Sequence, residues 1–471
     1  IQFHSRRTSI QDPANGFAVG FAKCGQTKKC AKCIACHAAK LRKHSSCCYL
    51  AGMRRLFKNI KGLVGCYEAP PEWLAGQSMA EFPVLENAWL AVEEGRIAAF
   101  GSMTDFPGIT DWSGLEIEDC EGRYVLPAWC DSHTHLVYAS DRGGEFLERL
   151  QGKSYQEIAQ SGGGILNSAR SLRALPESTL LADAQFRLQH AMDQGTGAME
   201  IKSGYGLTLE GELKMLRVIQ ALKEENTIPI KSTLLACHAI PEGDWDAPRW
   251  TAEVIQHLLP QVASEGLADY VDAFCEEGYF GVDELNELLE ATQQMGLRAK
   301  VHVNQFTALG GVAASVHWNA LSVDHLEQLT AEDITALQGG LKNNQGPVFP
   351  VALPGCSHFL SIPFTPVRKL IDANLPVVIA SDHNPGSAPS GNMTLVVQFA
   401  MVKMGMLPLE AIAAATINGA AAMELSHEVG VIAPGWRANV LVTTPMTGLE
   451  EIGYRFGDNP VEKVFINGIL R

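Results

Sequence analysis

The chain has 471 residues, 46% of them hydrophobic and 19% charged, with a formal net charge of −15. This composition describes a globular chain, and its acidity speaks against a surface for nucleic acid or for an anionic membrane. No apolar run approaches the 18 residues of a membrane-spanning helix, and the length suits one large unit with a smaller one attached.

The first 52 residues differ from the rest. They hold nine Lys/Arg against a single acid, Asp12, and six of the twelve cysteines. Cys30-x-x-Cys33-x-x-Cys36-His37 has the spacing of a zinc or haem ligand set. The segment has no second clean ligand pair, no hydrophobic periodicity and no continuous apolar stretch of the kind a secretory signal carries. Residues 1–52 are therefore expected to be upstream or non-native sequence ahead of a fresh start at Met53, with a small metal module as the alternative. The other six cysteines are scattered through apolar runs and read as reduced core residues of a cytoplasmic protein.

From 53 to 121, short strand-like runs alternate with turns, as in Trp89–Val92, Gly95–Gly101 and Glu116–Asp119. The same pattern returns in 425–471, in Gly435–Thr443 and Pro460–Gly468. Strands of this kind at both ends predict one small β-sandwich domain built from 53–121 and 425–471 around an inserted core. That core, 122–424, offers strand candidates at 124–133, 196–202, 228–237, 269–275, 298–304, 320–325, 347–353 and 376–382. Helical patterns separate most of them, among them Thr179–Gln194, Glu210–Glu225, Thr251–Ser264, Asp283–Met295 and Pro366–Ala373. Eight strands alternating with helices predict an α/β fold of the (β/α)8 TIM-barrel type, whose functional residues sit where strands end.

Polar groups collect at those ends. The first strand runs into His133-Thr-His135, and side chains at i and i+2 of a strand project to one face. The fifth ends in His302-Val-Asn-Gln305, the sixth in Asp324-His325-Leu-Glu327, and the eighth in Asp382-His-Asn384-Pro-Gly386-Ser387. A barrel strand buried on both faces is nearly continuously apolar, so polar groups at its end cost stability unless they are used. His133, His135, His302 and Asp382 give three imidazoles and a carboxylate, a donor set for one zinc or ferrous ion with room for water. Such an ion activates water near neutral pH, with Asp382 as ligand and proton acceptor and His325 as a second proton-transfer group. His238, closing the third strand, is either a donor to a developing oxyanion or a core histidine bonded to backbone.

His-Thr-His after a strand, a later His, and an Asp closing the last strand resemble the amidohydrolase superfamily. The likeness runs from about 54 to 471. It is closest to the branch of histidine degradation that opens an imidazolone ring. The stretches carrying it are His133–Tyr138 with Arg142, Glu145–Tyr155, Ser161–Ile165, Glu200–Leu207, Asp272–Glu276, Asp324–Glu327 and Asp382–Ser387. The resemblance implies a barrel with a flanking β-sandwich and hydrolysis of the cyclic amide of 4-imidazolone-5-propanoate to N-formimino-L-glutamate, with zinc or iron. It implies His133, His135, His302 and Asp382 as metal ligands and Arg142, Tyr205, His238, Asn384, Gly386 and Ser387 as substrate contacts. It also implies a homodimer. A guanidinium fork suits the substrate's propionate, though Arg142 also reads as a loop residue in a surface ion pair. Tyr205 reads equally as a turn tyrosine, and Gly162–Gly164 as either a closing loop or a plain flexible turn.

Two departures stand out. Gln305 occupies a position where some relatives carry a glutamate that helps activate the water; Gln takes no proton, so that work falls to Asp382 and His325. Binuclear relatives carry a carboxylated lysine at the end of the fourth strand, where this chain has Phe274-Cys-Glu-Glu277, so one metal is expected. Lys202, ending the second strand, is expected to be a structural or substrate-side cation. The competing readings are a deiminase or deaminase on the same scaffold, marked by ammonia release, and a barrel that lost its chemistry, which four retained ligands oppose.

Overall fold

The structure, a computed structural model, describes residues 53–154, 157–158, 161–342 and 346–471. The cysteine-rich segment 1–52 and Tyr155 lie outside the described residues.

The chain starts in a sheet whose axis is β1 (Arg54–Val64). It pairs antiparallel with β2 (Val84–Glu93) and parallel with β4 (Leu115–Asp119) and β5 (Tyr124–Pro127), while β3 (Arg96–Ser102) extends the sheet past β2. Eight parallel strands follow: β6 (Trp129–Asp131), β7 (Thr196–Lys202), β8 (Ile230–Cys237), β9 (Tyr270–Cys275), β10 (Arg298–Val303), β11 (Ser322–His325), β12 (Phe349–Ala352) and β13 (Val378–Ile379). Each pairs with the next in chain order. The ring is drawn shut where Asp382 N–H donates to the His133 carbonyl at 3.0 Å and His135 N–H to that of His383 at 2.9 Å. The chain then returns to the first sheet through β14 (Val440–Thr443), which pairs with β5, followed by β15 (Val461–Ile466) and β16 (Ile469–Leu470). Phe57, Ile60 and Leu63 of β1 share one buried cluster with Val440, Val442 and Phe465 from the far end. The rings of Phe57 and Phe465 meet edge-to-face at 4.9 Å, so apolar burial joins the two ends.

The single strand expected over 124–133 is two. Leu126 pairs with Leu441 in the terminal sheet, whereas Cys130 and Asp131 pair with Ala198 and Met199 in the barrel. Ala128 N–H donates to Asn439 and Trp129 N–H to Gly195, both at 2.9 Å, so the chain changes sheet between these residues and not at 122. The helix expected over Thr251–Ser264 is also interrupted, running Ala247–Glu253, then a π-helical turn at Val254–Leu258, then Leu259–Glu265. Pro260 has no amide hydrogen for the α-helical ladder, and its ring crowds the carbonyl four residues back. Among the described residues no helix is long and apolar enough to cross a membrane.

The short helix Ile417–Ala421 lies against β6 at Gly419, where a Cβ would fall inside contact distance of the Cys130 carbonyl oxygen. That carbonyl belongs to the strand feeding His133, so neither side has room to yield. Gly419→Ala is expected to destabilise the fold by about 1–3 kcal/mol despite its better helix propensity. The test is urea unfolding, in which the midpoint falls at an unchanged slope.

Candidate metal-dependent active site

The chain turns sharply at the ends of β10 and β11 and beyond β13. Asn304, His325, Leu326 and Asp382 all have positive φ, at 55°, 88°, 64° and 54°. Side-chain-bearing residues pay for that conformation, and such strain concentrates where side chains must be aimed. Here it turns the strand ends inward. His302 Nε2 lies 3.3 Å from His135 Nε2, and Asp382 Oδ1 lies 3.5 Å from the Nε2 atoms of both His133 and His135. Four donors each about 2.0–2.2 Å from one ion stand about 3.3–3.6 Å apart in a tetrahedron, so these separations fit a zinc-sized centre. His133 Nε2 is buried and makes no hydrogen bond among the described residues. The donor chemistry and the orphaned nitrogen both suit a divalent ion.

What aims the rings is a layer of charge beneath them. Asp324 accepts from His133 Nδ1 at 2.5 Å, and Asp272 from His302 Nδ1 at 3.0 Å. With Nδ1 carrying the hydrogen, each Nε2 presents its lone pair to the common point. Lys202 Nζ reaches Asp272 at 2.9 Å, Glu200 at 2.7 Å and Asp324 at 3.9 Å. Lys300 Nζ bonds Glu200 and, at 2.7 Å, the Ser132 carbonyl. All five side chains are fully buried. Burial alone would strip the charge from Lys202, but Asp272, Glu200 and Asp324 outweigh it and raise its pKa. Burial, followed by the Lys202 charge for His133 and His302, holds the three ligand histidines well below the usual imidazole value, so they are neutral. Lys202 is thus a structural cation, and the alternative of a substrate-side role has no support in this placement.

The expected substrate and proton-handling residues share one cleft. His135, Arg142, Tyr205, His238, His302, Gln305, His325, Asp382, Asn384 and Ser387 line it, together with Ile165 and Phe274. His133 sits behind the lining, fully buried. Gly386 packs on the Arg142 guanidinium so closely that a Cβ there would collide with it. Arg142 is 7% exposed, and Glu145 holds its Nε side at 2.7 Å, so the arginine points into the cleft and is not part of a surface ion pair. Glu145 also accepts from the Gly164 amide at 3.1 Å, which ties the triple-glycine turn to the arginine. Tyr205 stands on a loop whose amides at Gly204, Gly206 and Leu207 all donate to the buried carboxylate of Glu212. At Gly204, φ is +109° and a Cβ would lie 2.8 Å from His238 Nδ1, so only glycine fits.

His238 resolves between its two readings in an unexpected way. Its Nδ1 is 3.1 Å from the Gly204 carbonyl, which can only accept, so Nδ1 carries the hydrogen. Burial lowers its pKa to about 4. The ring is therefore neutral with an accepting Nε2, while stacked on His135 at 5.0 Å in the cleft. It is both backbone-bonded and cleft-lining, and in this tautomer it does not donate to an oxyanion. Asp382 is raised to about 6 by burial, tempered by His325. His325 is raised as well, because Glu327 beside it overcomes burial. Gln305 Nε2 donates to Cys356 Sγ at 3.3 Å.

Sequence reasoning did not assign Glu145, Glu200, Glu212, Lys300 or Cys356 to this site, and it quoted Asp272 and Asp324 without a role. One signal was available: Glu200 and Lys202 alternate along a strand buried on both faces, where unpaired charge is not tolerated. Asp324→Asn keeps the shape but removes the charge that orients His133. Its metal affinity is expected to fall about 10–100-fold, read by chelator competition; an unchanged affinity would remove Asp324 from the metal's support.

Comparison with known proteins agrees with this geometry. The amidohydrolase family model matches residues 124–470. The imidazolonepropionase of Christiangramia forsetii is 50% identical over 419 residues, covering 89% of this chain and 100% of that protein. That of Geobacillus kaustophilus is 36% identical over 423 residues, covering 88% and 97%. Among solved structures, a 5-methylcytosine deaminase from Klebsiella pneumoniae superposes with a TM-score of 0.65 at 16% identity, covering 88% of this chain and 97% of its own. A zinc-bound adenosine deaminase from Xanthomonas campestris gives 0.64 at 15%, covering 89% and 93%. At those identities the structural likeness speaks for the fold, while the sequence relatives place the chain more narrowly. The chain belongs to the amidohydrolase family, in its imidazolonepropionase branch.

Proposed function

We propose that this chain hydrolyses the cyclic amide of 4-imidazolone-5-propanoate, giving N-formimino-L-glutamate in histidine degradation. The observation carrying this reading is one cleft that holds both a four-donor cluster and a buried guanidinium, in a chain 50% identical to an imidazolonepropionase. His133, His135, His302 and Asp382 would hold a zinc or ferrous ion, which when bound would supply carbonyl polarisation and activation of water near neutral pH.

The protein's own groups do the rest. Arg142, a buried guanidinium lining the cleft, takes the propionate, which fixes the ring's distance from the cluster. Tyr205, Asn384, Gly386 and Ser387 bound the same side. Asn384 is rigid, because its side chain accepts from the Gly386 and Ser387 amides at 2.8 and 2.7 Å. His238 Nε2 accepts from a ring N–H. Water adds to the ring carbonyl and the C–N bond breaks, so one water proton must travel to the departing nitrogen. Asp382 and His325 carry it, and both have pKa values moved toward the working range. Gln305 takes no proton and serves by orienting a hydrogen-bond partner.

The direct test is decay of imidazolonepropionate absorbance on the purified chain, with metal content measured alongside. A metal-loaded chain inert to that substrate but releasing ammonia from a formimino compound would favour the deiminase reading. Arg142→Ala is expected to raise KM about 10–100-fold at unchanged metal content; parallel loss of metal would give the arginine a different role. His325→Asn is expected to lower kcat by about 10²–10⁴ with little change in KM, measured in steady-state kinetics.

A further inference from the structure

A second group of ligand atoms adjoins the cleft, which His325 lines. His325 ends β11, Glu327 lies two residues on, and Cys356 opens the helix Pro354–Leu360 after β12. One ligand atom from each lies within 4.8 Å of the others, and all three residues are buried. The internal contacts are loose for hydrogen bonds. His325 Nδ1 stands 3.5 Å from both carboxylate oxygens of Glu327, the separation that the first cluster shows between Asp382 and its histidines. Ser357 donates to Glu327 Oε1 at 2.9 Å and so fixes the carboxylate. The other oxygen, Oε2, is buried without a hydrogen-bond partner among the described residues. A buried carboxylate oxygen left unsatisfied costs free energy unless something fills the place opposite it.

We propose that His325, Glu327 and Cys356 form a second divalent-cation site, selective for thiophilic ions such as Zn2+ and Cd2+, whose occupancy switches the enzyme off. Imidazole, carboxylate and thiolate are the donors that select such ions over Mg2+ or Ca2+. Binding releases the thiol proton to solvent as the sulfur–metal bond forms, with no change of oxidation state. The ion ties up the His325 imidazole, and this inhibitory consequence rests on the proton-carrying role given to His325 above. Binding itself does not rest on it. The two clusters share no ligand, although Cys356 lies beside Asp382.

The test titrates full-length enzyme, already holding one ion per chain, with further Cd2+ and then Zn2+. Six further cysteines lie between Cys24 and Cys48, so the readout is the difference between the wild type and Cys356→Ser. The expected result is one sulfur-to-cadmium charge-transfer absorption per chain in that difference. Turnover should fall over the same concentration range, with a midpoint at least about tenfold higher in the variant. Glu327→Gln keeps every thiol and is expected to shift the cadmium midpoint similarly, which covers the case of a poorly folding Cys356→Ser. No difference absorption, with equal midpoints in all three proteins, overturns the proposal. The absorption with undiminished turnover upholds the site and overturns the role of His325 in proton transfer.

Discussion

The site depends on charge buried in the barrel. Lys202 and Lys300 lie fully out of water with Glu200, Asp272 and Asp324, immediately under the ligand histidines. Carrying five ionic groups out of water costs several kcal/mol each before pairing, and deleting one partner of a buried pair costs about 3–5 kcal/mol. Such a network persists for what it fixes. Two lysines stand against three carboxylates, and Asp382 makes a fourth at the cluster. The same carboxylates set the tautomers of His133 and His302, so charge balance and lone-pair direction have one source.

The seam of the barrel adds a second constraint. β6 and β13 have three and two residues, the shortest span of regular pairing in the ring. Beyond their ends, the bonds that bring them together run between Asp382 and His133 and between His135 and His383. Backbone closure and ligand placement are therefore a single event. Asp131 reinforces it, accepting from the amide and hydroxyl of Ser381 at 3.0 and 2.6 Å. An ion bound by the proposed ligands would sit where the fold is completed, which would make metal binding and barrel integrity linked equilibria.

Much of this is legible in the sequence. Strand ends with i, i+2 histidines announce a convergent pair, and eight strand–helix alternations announce the barrel. The legible features are local or periodic. What escaped is long-range or stereochemical. That Leu126 faces Leu441 while Cys130 faces Ala198 depends on partners far along the chain, so the run 124–133 gave no sign of its division. The π turn at Val254–Leu258 came from Pro260, which a periodicity count passes over. The accepting face of His238 followed only from the Gly204 carbonyl, a backbone atom with no signature of its own. Cys356 looked like any core cysteine because its neighbours Gln305 and Glu327 come from other strands.

The two halves of the site differ in how they are supported. The ligands stand on strand ends braced by buried ion pairs, and nothing about them is adjustable. Arg142 is held otherwise, at the start of the helix Gly143–Leu150, by Glu145 three residues on, which in turn holds the Gly164 amide. Ile165, the residue after that glycine, borders both the site and a wider cleft beside it. The arginine, its carboxylate partner and the turn at the cleft's edge are thus one mechanical unit carried on connecting chain. A carboxylate arriving at Arg142 meets a guanidinium already neutralised on one side. Displacement of Glu145 by that carboxylate would release the turn. The four-donor cluster is fixed by burial, whereas Arg142 is coupled to the border of the cleft, so the two respond to different perturbations.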